Sequence, residues 1–297
     1  AFRPAISLKS APAMSFRGLS LRKSLVFLQF AISQILIIGT LVVANQMDFF
    51  RNKDLGFNKE AVISFYLPEM EKREVIAQQL KSNSAVKDIS FSSGAPVGNG
   101  SFCPFSAPHL GIDKDDVTQY MAVDERYLEM FEIKMLAGKK IEQRQGKDSP
   151  MNVLVNETLI KKLNINSPQD ALGQHFRMAG NTVIIQGVVQ DFQSESKHKA
   201  RRPCILFYDK EGFYAVSAKL QSANMRQAIA RIEKDYVAVF PDKLFNYEFL
   251  DERIAGLYRQ EQKGYTAFRL FSVLAIIIGC LGLYGLVAFA PLERTKD

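Results

Sequence analysis

The sequence is poor in the residues that most often carry chemistry. It contains only three histidines and three cysteines among 297 residues. His109, His175 and His198 lack the spacing of a zinc motif, and the chain has no CxxC pair, GxSxG elbow or GxxxxGK[ST] phosphate loop. We therefore predict that this chain is not an enzyme and has no catalytic, metal-binding or cofactor-binding residues.

The three cysteines do not form a recognisable framework. Cys280 lies in an apolar run, where we expect it to pack, whereas Cys103 and Cys204 lie in the polar part of the chain. A disulfide between these two is chemically possible outside the cytoplasm. Cys103 sits in a segment with loop composition and Cys204 in one with strand composition, so the sequence leaves their pairing open.

Charge is absent from two long segments. Residues 25–44 (LVFLQFAISQILIIGTLVVA) and 270–290 (LFSVLAIIIGCLGLYGLVAFA) contain no Asp, Glu, Lys or Arg. Each reaches the roughly 20 residues that a helix needs to cross about 30 Å of hydrocarbon. The first run continues into Asn45 without a small-residue cleavage site, which favours a spanning helix over a signal peptide. We predict two transmembrane helices, 25–45 and 265–290, in contact with the lipid bilayer.

Basic residues are concentrated before the first apolar run. Residues 1–24 contain five basic residues and no acidic one, although the whole chain has a formal charge of +7. By the positive-inside rule this flank is cytoplasmic, so the large domain lies in the periplasm or outside the cell. We find no basic stripe in the folded part and predict no nucleic-acid partner.

The polar part contains two β-α-β patterns. One combines strands at 61–67 and 86–91 with a helix opening at Pro68. The other combines strands at 213–220 and 244–250 with a helix at 223–240. We predict an α+β fold in which a ferredoxin-like, porter-like part is split by an inserted, mostly β subdomain. The predicted organisation is cytoplasmic 1–24, span 25–45, α/β part 46–93, insertion 94–210, second α/β half and stalk 211–264, span 265–290 and cytoplasmic 291–297.

The insertion begins with a Gly/Ser/Pro-rich stretch that predicts a loop through residue 108. Two charged runs follow, each with two interpretations. Asp113–Asp116 is either a weak calcium loop or, more in keeping with its missing spaced ligands, a solvated turn. Residues 197–202 (KHKARR) either meet anionic lipid or an acidic partner, or form a solvated loop.

Small residues recur at every third position of the second span. They are Gly279, Gly282, Gly285 and Ala288. Small side chains let helix backbones approach closely, so we predict a helix-packing role and keep a flexing point as the alternative. The first span offers only Gln29, Ser33 and Gln34 as strongly polar groups that could bond to a neighbouring helix.

Several segments resemble the FtsX-like/MacB-like permease family of ABC transporters. They are residues 21–60 (LRKSLVFLQFAISQILIIGTLVVANQMDFFRNKDLGFNKE), 155–176 (VNETLIKKLNINSPQDALGQHF), 183–203 (VIIQGVVQDFQSESKHKARRP) and 240–297, which begins FPDKLFNYEFLDERIAGLYRQ. The opening AFRPAISLK resembles the cytoplasmic link between the halves of an eight-span member, which implies a piece of the second half. Pro291 departs from the family, which usually has a proline-free run there.

The resemblance implies a permease subunit of the bacterial inner membrane with a MacB-like periplasmic core domain. Implied partners are a cytoplasmic ABC ATPase, a second permease copy in a homodimer or pseudodimer, and a periplasmic or outer-membrane protein. The domain would transmit ATP-driven motion to export or release a substrate or to activate a partner. The alternative is a two-span sensory receptor with a periplasmic ligand-binding domain. The sequence does not identify the substrate.

Overall fold

The computed structural model describes residues 16–52, 60–98, 100–143, 150–192, 201–221, 225–257 and 259–294. The chain divides into two compact units, one formed by residues 1–53 with 259–297 and the other by residues 54–258. The described helices are α1 (Phe16–Asn52), α2 (Arg73–Ser82), α3 (Tyr127–Met130), α4 (Glu157–Lys162), α5 (Met225–Val239), α6 (Leu250–Leu257) and α7 (Arg259–Arg294). The described strands are β1 (Val62–Tyr66), β2 (Val86–Ser92), β3 (Ser101–Ala107), β4 (Ile112–Ala122), β5 (Met135–Gly138), β6 (Met151–Asn156), β7 (His175–Met178), β8 (Asn181–Val189), β9 (Cys204–Phe207), β10 (Ala215–Leu220) and β11 (Tyr247–Phe249).

The first unit consists of the two long helices α1 and α7. Within them, Phe27–Asn45 and Lys263–Gly282 are long and apolar enough to cross a membrane, judged by length and composition alone. Large apolar side chains on both helices are exposed, among them Phe27, Ile35 and Leu281. Such a surface is unfavourable in water and suits hydrocarbon or further helices.

The second unit contains a four-stranded antiparallel sheet with the order β11-β1-β10-β2. Strand side chains alternate between faces, and Ile63 and Phe65 of β1 point toward α2 and α5. There they join a core with Leu80 of α2 and with Ile232 and Tyr236 of α5. The Tyr236 ring meets the Phe65 ring edge-on at 5.9 Å. The apolar positions of α5, spaced three and four apart, therefore determine which helix face covers the sheet.

The opposite face of this sheet is buried but lined largely by serines. Ser64, Ser90, Ser92 and Ser217 are all buried there, and the Ser64 and Ser217 hydroxyls are 3.0 Å apart in a cross-strand hydrogen bond. Small side chains that satisfy one another let a second layer approach closely. That layer is an apolar core that includes residues of α3 and α6, such as Tyr127, Leu250 and Ile254.

Seven strands form the second sheet, in the order β5-β8-β6-β9-β4-β3-β7, and β7 also pairs with β8. This last pairing closes a hydrogen-bonded ring of six strands, β8-β6-β9-β4-β3-β7, with β5 added beside β8. Its pairs are mixed, because β6–β8 and β4–β9 are parallel. Phe105, Phe176 and Ile185 belong to the apolar core of this ring. A closed ring leaves no unpaired edge among its members.

Gly138 shows why one turn beside the ring requires glycine. Its φ is +82°, and a Cβ at this position would lie 2.2 Å from the backbone oxygen of Gln186 and 2.7 Å from the Cα of Gly187. Only glycine combines a left-handed backbone with so close an approach to a neighbouring strand. The position anchors the end of β5 against β8.

The predicted elements of the α/β part are present, with shifted ends. The helix predicted to open at Pro68 begins instead with a 3₁₀ turn at Met70–Lys72 and becomes α2 at Arg73. The strand predicted at 244–250 is shorter, β11 (Tyr247–Phe249), and Leu244 lies before it with 85% of its surface exposed. Of the helix predicted at 223–240, Ala223 and Asn224 lie outside the described residues.

Two predictions in the insertion are wrong. The Gly/Ser/Pro-rich stretch is not a loop throughout, since Ser101–Ala107 forms β3 between β4 and β7. Pro104 has no N–H to donate within the sheet, but its backbone oxygen accepts a hydrogen bond from the N–H of Ala179 at 2.9 Å. Asp113–Asp116 is not a turn, because β4 begins at Ile112.

Candidate functional site

The two long helices run antiparallel and are joined by hydroxyl groups. The Oγ1 of Thr40 lies 2.7 Å from the Oγ of Ser272, and the Ser272 hydroxyl also lies within 3.0 Å of the backbone oxygen of Leu36. Two turns before Thr40 on α1, the Ser33 hydroxyl is 3.3 Å from the backbone oxygen of Ala275. Ser33 and Ser272 are buried in the contact. In an apolar environment such bonds hold two helices in one register.

Gly279 and Gly282 lie at the same contact. A Cβ at Gly279 would be 4.0 Å from the Oγ of Ser33, which is ordinary contact, whereas a Cβ at Gly282 would be 3.1 Å from the Oε1 of Gln29. Gly282 therefore marks the tighter approach of α7 to α1. The structure does not describe the surroundings of Gly285 and Ala288, so their predicted packing role stays a prediction.

Gln29 is the polar group of the span whose bonding is incomplete. Its Nε2 is buried and has no hydrogen-bond partner among the described residues. Gln34, the other glutamine predicted as a possible helix contact, is exposed on the outer surface of α1. We therefore name Gln29, Ser33, Thr40, Ser272 and Gly282 the helix seam. Thr40 and Ser272 were not predicted from the sequence. The signal that could have indicated them is a hydroxyl group within an apolar run.

In the second unit, Asp124 joins the end of β4 to the four-stranded sheet. Its carboxylate accepts hydrogen bonds from the hydroxyl of Ser90 and from the N–H of Phe91, each at 2.7 Å. Its own N–H donates to the backbone oxygen of Phe91 at 3.0 Å. A short bridge between Ser92 and Val123 continues the contact. Asp124 thus binds the ring of strands to β2.

Burial raises the pKa of Asp124 to about 6, and the bonds from Phe91 and Ser90 offset part of that rise. The residue is 9% exposed. A carboxyl that has lost most of its water is harder to ionise, even when two donors remain. Asp124 is therefore poised to change protonation between neutral and mildly acidic pH. This burial could not be predicted from the sequence, since an aspartate before a short helix is usually a solvated cap.

Two of the histidines, His109 and His175, are far apart in the sequence but lie in contact in the structure. His109 and His175 stack with ring centroids 4.4 Å apart and planes 7° from parallel, although 65 residues separate them in the numbering of the chain. His198 lies outside the described residues. Parallel rings do not direct their nitrogen lone pairs at a common point, so this stack is not a metal site as it stands. Among the residues described, no group of three or more potential metal ligands occurs.

Cys103 and Cys204 are both free and buried. Cys103 on β3 pairs with Thr118 of β4, and Cys204 on β9 pairs with Gln119 of the same strand. Neighbouring residues of a strand face opposite ways, so the two thiols lie on opposite faces of the sheet, with a whole strand between them. That separation, about 9–10 Å between their strands, exceeds the reach of a disulfide. Burial raises the pKa of both thiols.

Comparison with protein families identifies the family of this chain. A model of the MacB-like periplasmic core domain matches residues 28–235. The chain belongs to this MacB-like family. Membership assigns it a general role as a transporter permease, embedded in a membrane and carrying a periplasmic domain. Its relatives are permease domains rather than enzymes. A search of curated proteins finds no match.

Among solved structures, 24 chains match the MacB-like chain. One is the periplasmic region of MacB from Actinobacillus actinomycetemcomitans, at 13% identity and a TM-score of 0.48, covering 66% of this chain and 92% of that one. Another is the extracellular domain of the noncanonic ABC-type transporter YknZ from Gram-positive bacteria, at 16% and 0.44, covering 63% and 97%. A domain of a putative permease from Porphyromonas gingivalis gives 16% and 0.36, covering 58% and 74%. The family assignment rests on the family model.

Proposed function

We propose that this chain belongs to an ABC transporter permease whose periplasmic domain transmits ATP-driven conformational change. The transmitted motion would export or release a substrate or activate a periplasmic or outer-membrane partner. The observation that carries the proposal is the family match over residues 28–235, which includes most of the first apolar helix and most of the outer domain. The implied location is the bacterial inner membrane, with further spans elsewhere in the protein.

The helix seam supports transmission. Because α1 and α7 share hydroxyl bonds and a close approach at Gly282, displacement of one helix entails displacement of the other. Both helices also continue beyond their apolar windows, α1 from Asn45 to Asn52 and α7 from Lys263 back to Arg259. A continuous helix carries motion along its axis without an intervening hinge. We propose a packing role for Gly279, Gly282, Gly285 and Ala288 in this pair.

Two helices enclose no pathway, so the proposal requires partners. We propose a separate cytoplasmic ABC ATPase and a second permease copy, in a homodimer or pseudodimer. The apolar side chains exposed on α1 and α7 would contact lipid and the spans of such neighbours. We further propose that the chain is a piece of the second half of an eight-span permease, as the resemblance of its opening residues implies.

We interpret the four-stranded sheet as ferredoxin-like and porter-like. The strand order β11-β1-β10-β2, with α2 and α5 covering one face, supports this interpretation. We propose the boundaries 46–93 and 211–264 for its two halves and 94–210 for the insertion. In this arrangement the mostly β insertion is the part available to an outer partner, while the α/β part is continuous in sequence with both spans.

The test uses the full-length protein in which this chain occurs, purified from native membranes. We expect an ABC ATPase to copurify and to be identified by mass spectrometry. A nitroxide at Lys234→Cys, on the exposed surface of α5, in a Cys280→Ser background would report the distance between copies. We expect that distance to change by several ångström between the nucleotide-free and ATP-trapped states, as in other domain motions on hydrolysis cycles.

A complex whose ATPase lacks its phosphate-loop lysine serves as the control, because ATP should then leave the distance unchanged. Absence of any copurifying ATPase would refute the proposal. A histidine kinase or cyclase domain following residue 297 would instead establish the two-span sensory receptor, for which a small ligand should raise the melting temperature of the protein.

A further inference from the structure

Two histidines lie side by side on the exposed surface of the ring of strands. His109 belongs to the 3₁₀ turn Pro108–Leu110 that follows β3, and His175 is the first residue of β7. Their rings are parallel within 7° with centroids 4.4 Å apart, and both residues are exposed to solvent. Neither takes part in the helix seam or in the Asp124 junction.

The pairing of β3 with β7 brings these two residues together. The two strands are antiparallel and pair at two positions, the second of which joins Ser106 to Arg177. This is the shortest ladder in the ring of six strands. Two residues further in the same register, Pro108 lies opposite His175, and His109 follows Pro108 in the chain. The histidine pair therefore lies at the point where the backbone contact between β3 and β7 ends.

Two exposed imidazoles in contact are within reach of a shared metal ion. Imidazole nitrogen is a preferred ligand of Zn²⁺, Cu²⁺ and Ni²⁺. At a metal–nitrogen distance of about 2.0–2.1 Å, two ligands of a tetrahedral ion are about 3.3 Å apart. The ring edges must therefore tilt toward each other by about 1 Å from their present spacing. The χ2 torsion of histidine has a broad energy minimum, so exposed rings make this adjustment at low cost.

The backbone around the pair is fixed, so only the rings have to move. The side-chain amide of Asn164 donates to the backbone oxygen of Leu110 at 3.1 Å and holds the 3₁₀ turn in place. Arg177 shares the exposed face of β7 with His175, but its guanidinium donates to the backbone oxygen of Gly180 at 3.3 Å. This bond directs the positive charge toward the turn between β7 and β8, where it does not compete with a cation at the imidazoles.

We propose that His109 and His175 together bind one divalent transition-metal ion of the zinc or copper type, which clamps the turn after β3 to β7. Two protein ligands leave the other positions of the ion to water, so the site is open and exchangeable, unlike a closed structural zinc site. The ion would strengthen the ring at its shortest ladder. This site is independent of the permease mechanism proposed above.

The experiment follows the histidine ring signals of the full chain, labelled with ¹³C in its histidines, in detergent micelles. A Cys280→Ser background removes the exposed thiol, and three histidines give three signals that single substitutions assign. ZnCl₂ is titrated at slightly alkaline pH, where imidazole is neutral, and MgCl₂ is the control because Mg²⁺ prefers oxygen ligands. We expect Zn²⁺ to shift the His109 and His175 signals along one saturable curve and to leave the His198 signal unchanged.

His109→Ala and His175→Ala should each weaken zinc binding by about tenfold or more, because each removes one of the two ligands. His198→Ala, which removes the third histidine of the chain, should leave zinc binding unchanged. Equal weakening by all three variants, separate titration curves for the two rings, equal shifts with Mg²⁺, or no shift at all would overturn the proposal.

Deuterium exchange tests the clamp itself. The Ala179 N–H donates to the backbone oxygen of Pro104 and so reports on the contact between β7 and β3. With free Zn²⁺ at about ten times its Kd, exchange of this amide through opening of the contact should slow about tenfold. In His109→Ala the same Zn²⁺ concentration should leave the exchange rate unchanged. An Ala179 amide that exchanges equally fast with and without Zn²⁺ in the wild type would refute the clamp.

Discussion

Asp124 provides the sharpest test of the structure, because its environment should be visible as a pH dependence of stability. The perturbation is Asp124→Asn, which removes the charge and nearly preserves the shape. In the variant the amide oxygen can accept the N–H of Phe91, and the amide N–H can donate to Ser90 if that hydroxyl rotates. Differences between the two proteins should therefore reflect the charge of Asp124 rather than lost contacts.

The magnitude follows from the pKa of Asp124, raised by burial from 3.8 to about 6. At about 1.4 kcal/mol per pH unit this rise corresponds to about 3 kcal/mol. Because the folded pKa is the higher one, the stability contributed by the protonated form is complete below about pH 4. It is lost as the pH rises toward 6, and above that the contribution is constant. The wild-type protein should thus lose about 3 kcal/mol relative to Asp124→Asn between pH 3 and pH 7.

The assay is denaturant unfolding of both proteins in detergent at half-unit pH steps, so that the effects of all other carboxyls cancel in the difference. A difference that stays constant across this range would refute the reasoning. Ser90→Ala offers a second check, since removing a donor to the carboxylate should raise the pKa of Asp124 further and move the transition to higher pH. Ser64→Ala is the matched control, a buried hydroxyl on the same sheet face that bonds to Ser217 instead.

Three further substitutions test the close approaches and one cap. Gly138→Ala should destabilise the domain by about 3 kcal/mol or more in chemical unfolding, because Gly138 has a positive φ and the added Cβ would clash with the backbone of β8. The control Gly180→Ala, which has a similar φ but open space around it, should cost about 1 kcal/mol. Gly282→Leu should lower the yield of cysteine cross-links between α1 and α7, whereas Gly39→Leu, with no neighbour within 4 Å, should not. Asn156→Ala should cost about 3 kcal/mol in unfolding, because it removes the cap of α4 and the side-chain bonds to the buried N–H of Cys204 and to the backbone oxygen of Arg202.

Each of these outcomes has a contrary result. Equal losses for the two alanine variants would mean that backbone conformation alone, not the approach of β8, determines the first effect. Equal cross-linking yields for Gly282→Leu and Gly39→Leu would show that α7 does not approach α1 closely at Gly282. If the Asn156→Ala variant has the same unfolding free energy as the wild type, water replaces the three hydrogen bonds of the Asn156 amide.

Local patterns in the sequence predicted much of the α/β part. The alternating segment at 86–91 appears as β2, and the residues spaced three and four apart on the predicted helix at 223–240 cover the sheet as α5. Both depend on which face of one element is apolar, and such information lies within a short window. The helix seam was partly visible for the same reason, through Ser33 and Gly282.

The closure of the ring could not be predicted in this way. β3 contains a proline and lies in a stretch of glycine, serine and proline, so its composition indicates a loop. It is a strand because β4 and β7 lie on either side of it, and β7 comes from residues 175–178. Asp124 was missed for a related reason, because its burial depends on β2, which comes from a distant part of the sequence.

The closed ring also has a consequence for the order of folding. Its six strands all lie between residues 101 and 207, so it can form without either half of the four-stranded sheet. β2 ends at Ser92 and β10 begins at Ala215, and their pairing requires the whole intervening chain to be closed into a loop. Once the ring has formed, the intervening chain is compact. Most of the conformational entropy that pairing β2 with β10 would cost has then already been lost. The four-stranded sheet should therefore form last, and its amides should be the first of the outer domain to exchange with deuterium.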